Sequence, residues 1–200
     1  MAWGFSTRLD AEPPPERRLH QIHGCRIVED DGRVHEADGI VTTQRGRRIG
    51  VRVADCVPIL LAGLLPGERP WVAALHAGWR GAVAGILREG AAVFRAQGGR
   101  TSDLAWSLGP AILACHFEVG PEVVEAARGD RAWADSMASV GPRGRPHLDL
   151  HAFLRGQALD EGFDPGRECS VPLCTFCRGD LFHSHRRGDP GRQWGWVEIL

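Results

Sequence analysis

The stretch from residue 49 to residue 76 constrains the fold most. It strings short apolar runs together and ends two of them in side chains with metal-binding chemistry. Ile49-Gly50-Val51-Arg52-Val53-Ala54 has the length and β-branched content of a strand, and it runs into Asp55-Cys56. Pro58 has no N–H to give to a ladder. It is expected to break the pairing just after Cys56, with Ile59-Leu60-Leu61-Ala62 resuming it. Trp71-Val72-Ala73-Ala74-Leu75 is apolar at every position, as a strand covered on both faces must be, and it runs into His76. Cys56 and His76 thus both fall where a strand gives way to a loop.

Around that segment the pattern alternates between strand and helix. Short strands are expected at 40–43 and at 104–108, the latter closed by Gly109-Pro110, and in the tail at 168–171, 181–184 and 194–199. Residues 19–28 read as a strand interrupted at His23-Gly24. The clearest helix covers 81–96: Val83, Ile86, Leu87, Val93 and Phe94 share one side, and Gly98-Gly99 ends it. Further helices are expected at 121–127, 132–139 and 150–161. Residues 1–18 are poorly patterned, and the Pro-rich 11–18 stretch reads as a loop or linker. Strands and helices interleave without strict alternation. That favours an α/β (α+β) sandwich with a mixed sheet over a doubly wound parallel sheet. No repeat or domain boundary is visible, so residues 1–200 read as one domain with enough chain to bury a core unaided.

A third ligand, His23 in Gln21-Ile22-His23-Gly24, completes a set of two imidazoles and one thiol with Cys56 and His76. That set suits a zinc ion with its fourth position open, the arrangement of catalytic sites. Each residue alone is more often structural, and Cys is among the most buried residue types. Asp55, beside Cys56, is a candidate base or a carboxylate orienting a ligand imidazole. In His76-Ala77-Gly78-Trp79-Arg80-Gly81, the two Gly let backbone approach a ligand, Trp79 offers a flat face and Arg80 a fork for phosphate or carboxylate. The helix expected from Gly81 would add free N–H groups at the same place. Arg186-Arg187 is a second candidate anion site. Cys174-Thr175-Phe176-Cys177 has the spacing of a zinc knuckle or a redox pair. The first needs a matched second pair and the second a βαβ context, and the sequence displays neither.

Composition narrows the chemistry. The 24 basic residues are all Arg; the chain contains no Lys, Tyr or Asn. Schiff-base lysine and P-loop chemistry are excluded, and any anionic substrate must be held by Arg, backbone N–H or metal. A net charge of −1 gives no pull toward nucleic acid or anionic membrane. No apolar stretch approaches the ~20 residues of a membrane span, and no signal-like start is present, so a cytoplasmic protein with reduced cysteines is expected.

With these residues assembled, the chain resembles the multicopper polyphenol oxidase, or laccase-domain, family. The matching pieces are Phe5-Ser6-Thr7-Arg8, Gln21-Ile22-His23-Gly24, Ala37-Asp38-Gly39-Ile40-Val41-Thr42, Ala54-Asp55-Cys56-Val57-Pro58 and His76 through Gly81. They continue with Gly109-Pro110-Ala111-Ile112, Phe117-Glu118-Val119-Gly120, Leu148-Asp149-Leu150, Cys174-Thr175 and Ser184-His185-Arg186-Arg187. The resemblance implies a layered mixed-sheet α/β sandwich flanked by helices, with His23, Cys56 and His76 as zinc ligands. It implies zinc-dependent purine nucleoside phosphorolysis, by phosphate attack at the anomeric carbon, and adenosine deamination, by water attack at the amino-bearing carbon. On that reading Asp55 and Arg80 are catalytic, Trp79, Arg186 and Arg187 hold substrate or phosphate, and the partners are a purine nucleoside and phosphate. The chain departs from the family in a shortened N-terminal segment (1–18), in Phe117 where Tyr is usual, and in His185 where Tyr is again preferred.

Three other functions remain open at the level of sequence. One is a cysteine hydrolase acting on amide bonds of peptidoglycan precursors, with Cys56 as nucleophile and His76 as base. Another is a copper-dependent phenol oxidase, which requires several copper ions and many His, whereas the 9 His here form no His-x-His pair beyond His183-Ser184-His185. The last is a metal-binding module without catalysis. The oligomeric state is not encoded in any feature of the chain.

Overall fold

The computed structural model describes residues 1–10 and 19–200; the loop or linker expected at 11–18 lies outside the described residues. Strands β1 (Ala2–Phe5), β10 (Gln193–Glu198) and β4 (Arg48–Val53) form an antiparallel three-stranded sheet in the order β1-β10-β4. A five-stranded sheet has the order β2-β3-β6-β5-β7, built from β2 (Ile27–Glu29), β3 (Gly39–Thr42), β5 (Val57–Leu65), β6 (Arg69–Ala77) and β7 (Ala105–Leu108). It is mixed: β2 runs parallel to β3, while the other pairs are antiparallel. A small hairpin joins β8 (Ala138–Val140) to β9 (Pro146–Leu148). The helices are α1 (Trp79–Val83), α2 (Ile86–Ala96), α3 (Pro121–Arg128) and α4 (Leu150–Asp160).

Side-chain alternation along β5 and β6 sorts the core into two layers. Val57, Ile59 and Leu61 on β5, with Trp71, Ala73 and Leu75 on β6, face the helices and meet Ile86, Leu87, Ala91 and Phe94 of α2. Leu60, Ala62, Val72 and Ala74 face the other way, against Ile49, Val51, Val53 and Val197 of the three-stranded sheet. The five-stranded sheet is therefore the middle layer between a sheet and a set of helices, and its central strands are apolar on both faces because both are covered. This is the expected mixed-sheet α/β sandwich.

Several local expectations are corrected. Pro58 does not break the ladder. It lies inside β5 opposite His76, and its carbonyl accepts from the Gly109 N–H at 2.9 Å. The side that lacks an N–H falls beyond the last β5–β7 pair, Ile59 with Leu108, where no partner strand asks for a donor. The single helix over 81–96 is two: α1 begins at Trp79, and Gly85, at φ 86°, separates it from α2. The apolar periodicity ran through the break because Val83 and Ile86 both reach the core.

The helix expected at 132–139 is instead a turn, a 3-10 segment at Asp135–Met137 and strand β8. Here Asp130 accepts from the Ala132 N–H, and Asp135 from the Trp133 indole, so short acidic side chains win the local hydrogen bonds. The strands expected at 168–171 and 181–184 are irregular. The first still lies along β7, with Cys169 and Val171 N–H groups bonded to the Trp106 and Leu108 carbonyls at 2.8 Å. β1, unrecognised in the poorly patterned start, pairs along β10.

Across the helical layer, Arg88 on α2 bonds Asp130 at the end of α3 and Asp160 and Glu161 at the end of α4. These contacts fix the helices whose loops reach the same end of the sheet as Cys56 and His76.

The break between α1 and α2 yields a test. At Gly85 an added Cβ has room, its nearest neighbour being Arg88 Cβ at 3.7 Å, so only the left-handed backbone resists a side chain. Gly85→Ala is expected to destabilise by about 1 kcal/mol and lower the thermal midpoint by roughly 2–4 °C, read by calorimetry.

Candidate functional site

The site is organised around a carboxylate that was quoted in the sequence motif but given no role. Asp38, fully buried just before β3, accepts the N–H groups of Ile22, His23 and Gly24 at 3.3, 2.9 and 2.7 Å. His23 adopts φ 61°, which turns these three consecutive N–H groups inward as an anion-binding nest. The same carboxylate takes His76 Nδ1 at 2.8 Å, and the Asp38 carbonyl accepts the His76 N–H at 2.7 Å. One side chain thereby fixes the loop bearing His23 and the ring of His76. Burial opposes ionisation of Asp38, but the hydrogen bonds from His76 and Gly24, the nearby His76 charge and the His23 N–H outweigh it, so its carboxyl stays below the ordinary range.

The three expected ligands converge. The ligand atoms of His23, Cys56 and His76 all lie within 4.8 Å of one another, and the two imidazoles meet edge to face with centroids 4.8 Å apart. Burial falls from His76 to Cys56 to the exposed His23, so the cluster opens to solvent on one side. Burial pushes the Cys56 thiol up, but hydrogen bonds to His23 and His76 prevail and bring it down to about 7. His76 moves the other way. Burial disfavours its charged form, yet Asp38 and Cys56 raise it to about 9. With Nδ1 committed to Asp38, Nε2 is left for the cluster, the tautomer that metal-ligating histidines adopt. Two imidazoles and a thiolate with an exposed face fit a metal with an open coordination position.

Gly78 and Gly81 let the chain pass this close. A Cβ on Gly78 would stand 3.0 Å from His23 and 3.2 Å from Cys56 Sγ, and one on Gly81 would meet the Gly24 carbonyl at 2.7 Å.

Two clefts flank the cluster and share His23, Ala54, Cys56 and His185. One, of about 180 Å³, is walled by Trp79, Phe117, Ile112 and Leu150 with Arg80 and Arg186 at its edge. The other, of about 350 Å³, adds the polar side chains of His20, Gln21, Arg52 and Arg192. Arg80 is exposed and stacks on Trp79 at 4.4 Å, and among the described residues its guanidinium makes no ion pair. The helix behind it, α1, has only five residues, so the helix N–H groups expected to assist Arg80 are not a separate anion site.

The remaining candidates sort by their hydrogen bonds. Arg186 lines the first cleft, lies over Phe117 at 5.7 Å, and bonds the His116 and Glu118 carbonyls at 3.3 and 3.0 Å. Arg187 does not reach the cleft. Its guanidinium is consumed by the Thr175, Phe176 and Phe182 carbonyls and by Asp189, so the expected anion site narrows to Arg186. Asp55 lines the cleft but contacts no imidazole. It accepts from Thr175 Oγ1 at 2.6 Å, Ser184 Oγ at 3.1 Å and the Arg186 N–H at 2.7 Å, tying the C-terminal loops to the end of β4. The orienting part expected of Asp55 belongs to Asp38. The sequence signal for Asp38 was a carboxylate set between Ala37 and Gly39 directly before an apolar strand.

The family model for the multi-copper polyphenol oxidoreductase laccase family matches residues 5–200. A purine nucleoside phosphorylase of Corynebacterium glutamicum is 38% identical over 185 residues, covering 90% of this chain and 72% of that protein. An adenosine deaminase from an unknown prokaryotic organism is 32% identical over 180 residues, covering 84% of this chain and 68% of its own length. Among solved structures, the hypothetical protein YfiH of Bacillus licheniformis superposes with a TM-score of 0.82 at 27% identity, over 91% of this chain and 73% of the other. YlmD of Geobacillus stearothermophilus gives 0.81 at 28% identity, over 92% and 74%. No helix among the described residues is long and apolar enough to cross a membrane.

Two outcomes check this geometry. Asp38→Asn places an amide N–H₂ against donors, so metal affinity is expected to drop about 10- to 100-fold in competition with a chelator; unchanged affinity would remove Asp38 from the orienting role. In metal-free protein, the part of thiol alkylation lost in Cys56→Ala should rise with pH around a midpoint of about 7 instead of the ordinary 9.0.

Proposed function

The chain belongs to the multi-copper polyphenol oxidoreductase laccase family, and from that premise we propose that it is a zinc-dependent purine nucleoside phosphorylase with adenosine deaminase-type activity. The observation that carries the reading is the convergence of His23, Cys56 and His76 beside a cleft with an aromatic wall and an exposed arginine stacked on it. The names of the relatives supply the substrate class.

In this reading His23, Cys56 and His76 hold the metal, which when bound supplies Lewis-acid polarisation at the open face. Asp38 keeps His76 in the tautomer that presents Nε2. Trp79 and Phe117 offer flat faces to a purine, and Ile112 and Leu150 exclude water from its edge. The first cleft, at about 180 Å³, is smaller than the ~300–1,000 Å³ usual for small-molecule sites. A nucleoside would therefore extend past His23 and Cys56 toward the polar second cleft, where a ribose finds hydrogen-bonding partners. Arg80, carrying no ion pair among the described residues, binds phosphate. Arg186, already spent on two carbonyls, mainly sets the wall and adds positive charge. Asp55 acts as a positioning residue through Thr175, Ser184 and the Arg186 backbone.

A second reading has its own observation. Asp38, His76 and Cys56 are linked carboxylate to imidazole to thiol, and the thiol is brought down to about 7, which is the order of an activated cysteine nucleophile. In that case Cys56 attacks an amide carbonyl and His76 protonates the leaving amine.

Purified metal-replete protein, screened against purine nucleosides with and without phosphate, separates the two. Phosphorolysis should accelerate with phosphate, and Cys56→Ala should abolish it while retaining the parent's circular dichroism and thermal unfolding. Arg80→Ala should reduce the phosphate dependence about ten- to a hundredfold, the loss of one charged hydrogen bond of ~1.5–3 kcal/mol, and should affect deamination less. Amide cleavage by metal-free protein, with no nucleoside turnover, would replace this reading with the cysteine hydrolase. Phenol oxidation dependent on added copper would replace it with the oxidase.

A further inference from the structure

A second set of soft donors lies away from the three ligands just described. Cys115 and His116 come from the loop after β7, and Cys174 and Cys177 from the turn at 174–177. Their ligand atoms all fall within 4.8 Å of one another. Cys115 Sγ stands 3.7 Å from Cys177 Sγ, and His116 Nδ1 is 3.3 Å from each of those sulfurs.

A tetrahedron with Zn–S of about 2.3 Å and Zn–N of about 2.0–2.1 Å requires S···S near ~3.8 Å and S···N near ~3.6 Å. The three separations among Cys115, His116 and Cys177 are within a few tenths of an ångström of those values, and Cys174 lies within 4.8 Å of each. A disulfide, by contrast, needs about 2.05 Å between sulfurs and leaves the third thiol and the imidazole without a purpose.

The surroundings are built for such a centre. The loop and the turn are already joined, with the Ala111 N–H on the Leu173 carbonyl at 3.2 Å and the Thr175 N–H on the Ala111 carbonyl at 2.9 Å. The Arg178 N–H closes the 174–177 turn on the Cys174 carbonyl at 2.9 Å. Backbone N–H groups of Leu113 and Cys177 point at the Cys174 sulfur. The His116 ring is held by stacking on Phe176, centroids 4.2 Å apart and 19° from parallel.

We infer that Cys115, His116, Cys174 and Cys177 form a second, structural zinc site of the Cys₃His type. Four protein ligands close the tetrahedron, leaving no open position for chemistry. The site would staple the loop carrying Phe117 to the turn carrying Thr175. Arg186 bonds the His116 carbonyl, so it would inherit its position from the same staple. The matched second half that the Cys174–Cys177 knuckle lacked in sequence is the adjacent Cys115-His116 pair. This inference stands apart from the nucleoside reading and does not depend on it.

Elemental analysis of the purified full chain tests it. Two zinc equivalents are expected in the parent, one in Cys56→Ala, and one in the Cys174→Ser/Cys177→Ser variant. Cobalt-loaded Cys56→Ala should show the intense thiolate-to-cobalt and tetrahedral ligand-field bands of a three-sulfur site, and Cys115→Ser should weaken them. Should the double variant fail to fold, His116→Ala alone should release the second equivalent to a chelator at least tenfold more readily than the parent does. One equivalent in the parent and none in Cys56→Ala would overturn the inference. So would an intact mass two daltons low under non-reducing conditions, a loss that Cys177→Ser abolishes.

Discussion

The charge of Asp38 is the constraint on which the site depends. A carboxylate with no exposure is tolerable only if its lone pairs are filled, and an unpaired buried charge would destabilise by several kcal/mol. Here three backbone N–H groups and one imidazole fill them. Meeting that requirement forces the loop at 22–24 to fold over the end of β3 and forces the His76 ring into one orientation. The convergence of His23 with His76 is thus a by-product of solvating one anion with protein. It also explains the left-handed His23, a conformation that a side chain adopts only where its surroundings demand it.

The second organising element is Asp55, which does for the C-terminal loops what Asp38 does for the N-terminal one. It too sits at positive φ, at the end of a strand, and it gathers Thr175, Ser184 and the Arg186 backbone. Cys56 lies between the two carboxylate hubs. Segments more than a hundred residues apart are drawn to one end of the sheet, and the cleft is the space left between them.

The sandwich itself was readable wherever burial left a one-dimensional trace. The central strands are continuous apolar runs, and α2, α3 and α4 are placed by their helical periodicity, although that periodicity misses the start of α2 at the Gly85 break. What failed were elements settled by the particular hydrogen-bond partners their groups find. β1 is a strand because β10 is there to pair with it. Pro58 is tolerated because β7 stops one residue earlier, and 132–139 is not a helix because Asp130 takes the Ala132 N–H and Asp135 the Trp133 indole. Periodicity reports which residues go inside, and it is silent on which hydrogen-bond partner each backbone group will find.

The same division holds for the chemistry. The sequence alone determined the ligand types, because His, Cys and Arg carry their donor properties anywhere, and it placed Cys56 and His76 at strand ends. Tertiary structure decided which of them act together and in what state. It chose Asp38 over Asp55 as the partner of His76 and withdrew Arg187 into internal carbonyls. Among the described residues it left Arg80 without an ion pair, and it brought Cys115 and His116 to the Cys174–Cys177 turn. Ligand identity is a property of a side chain. Proximity, burial and the balance of hydrogen bonds that set a proton or a metal in place arise only between side chains, across distances along the chain that no local pattern encodes.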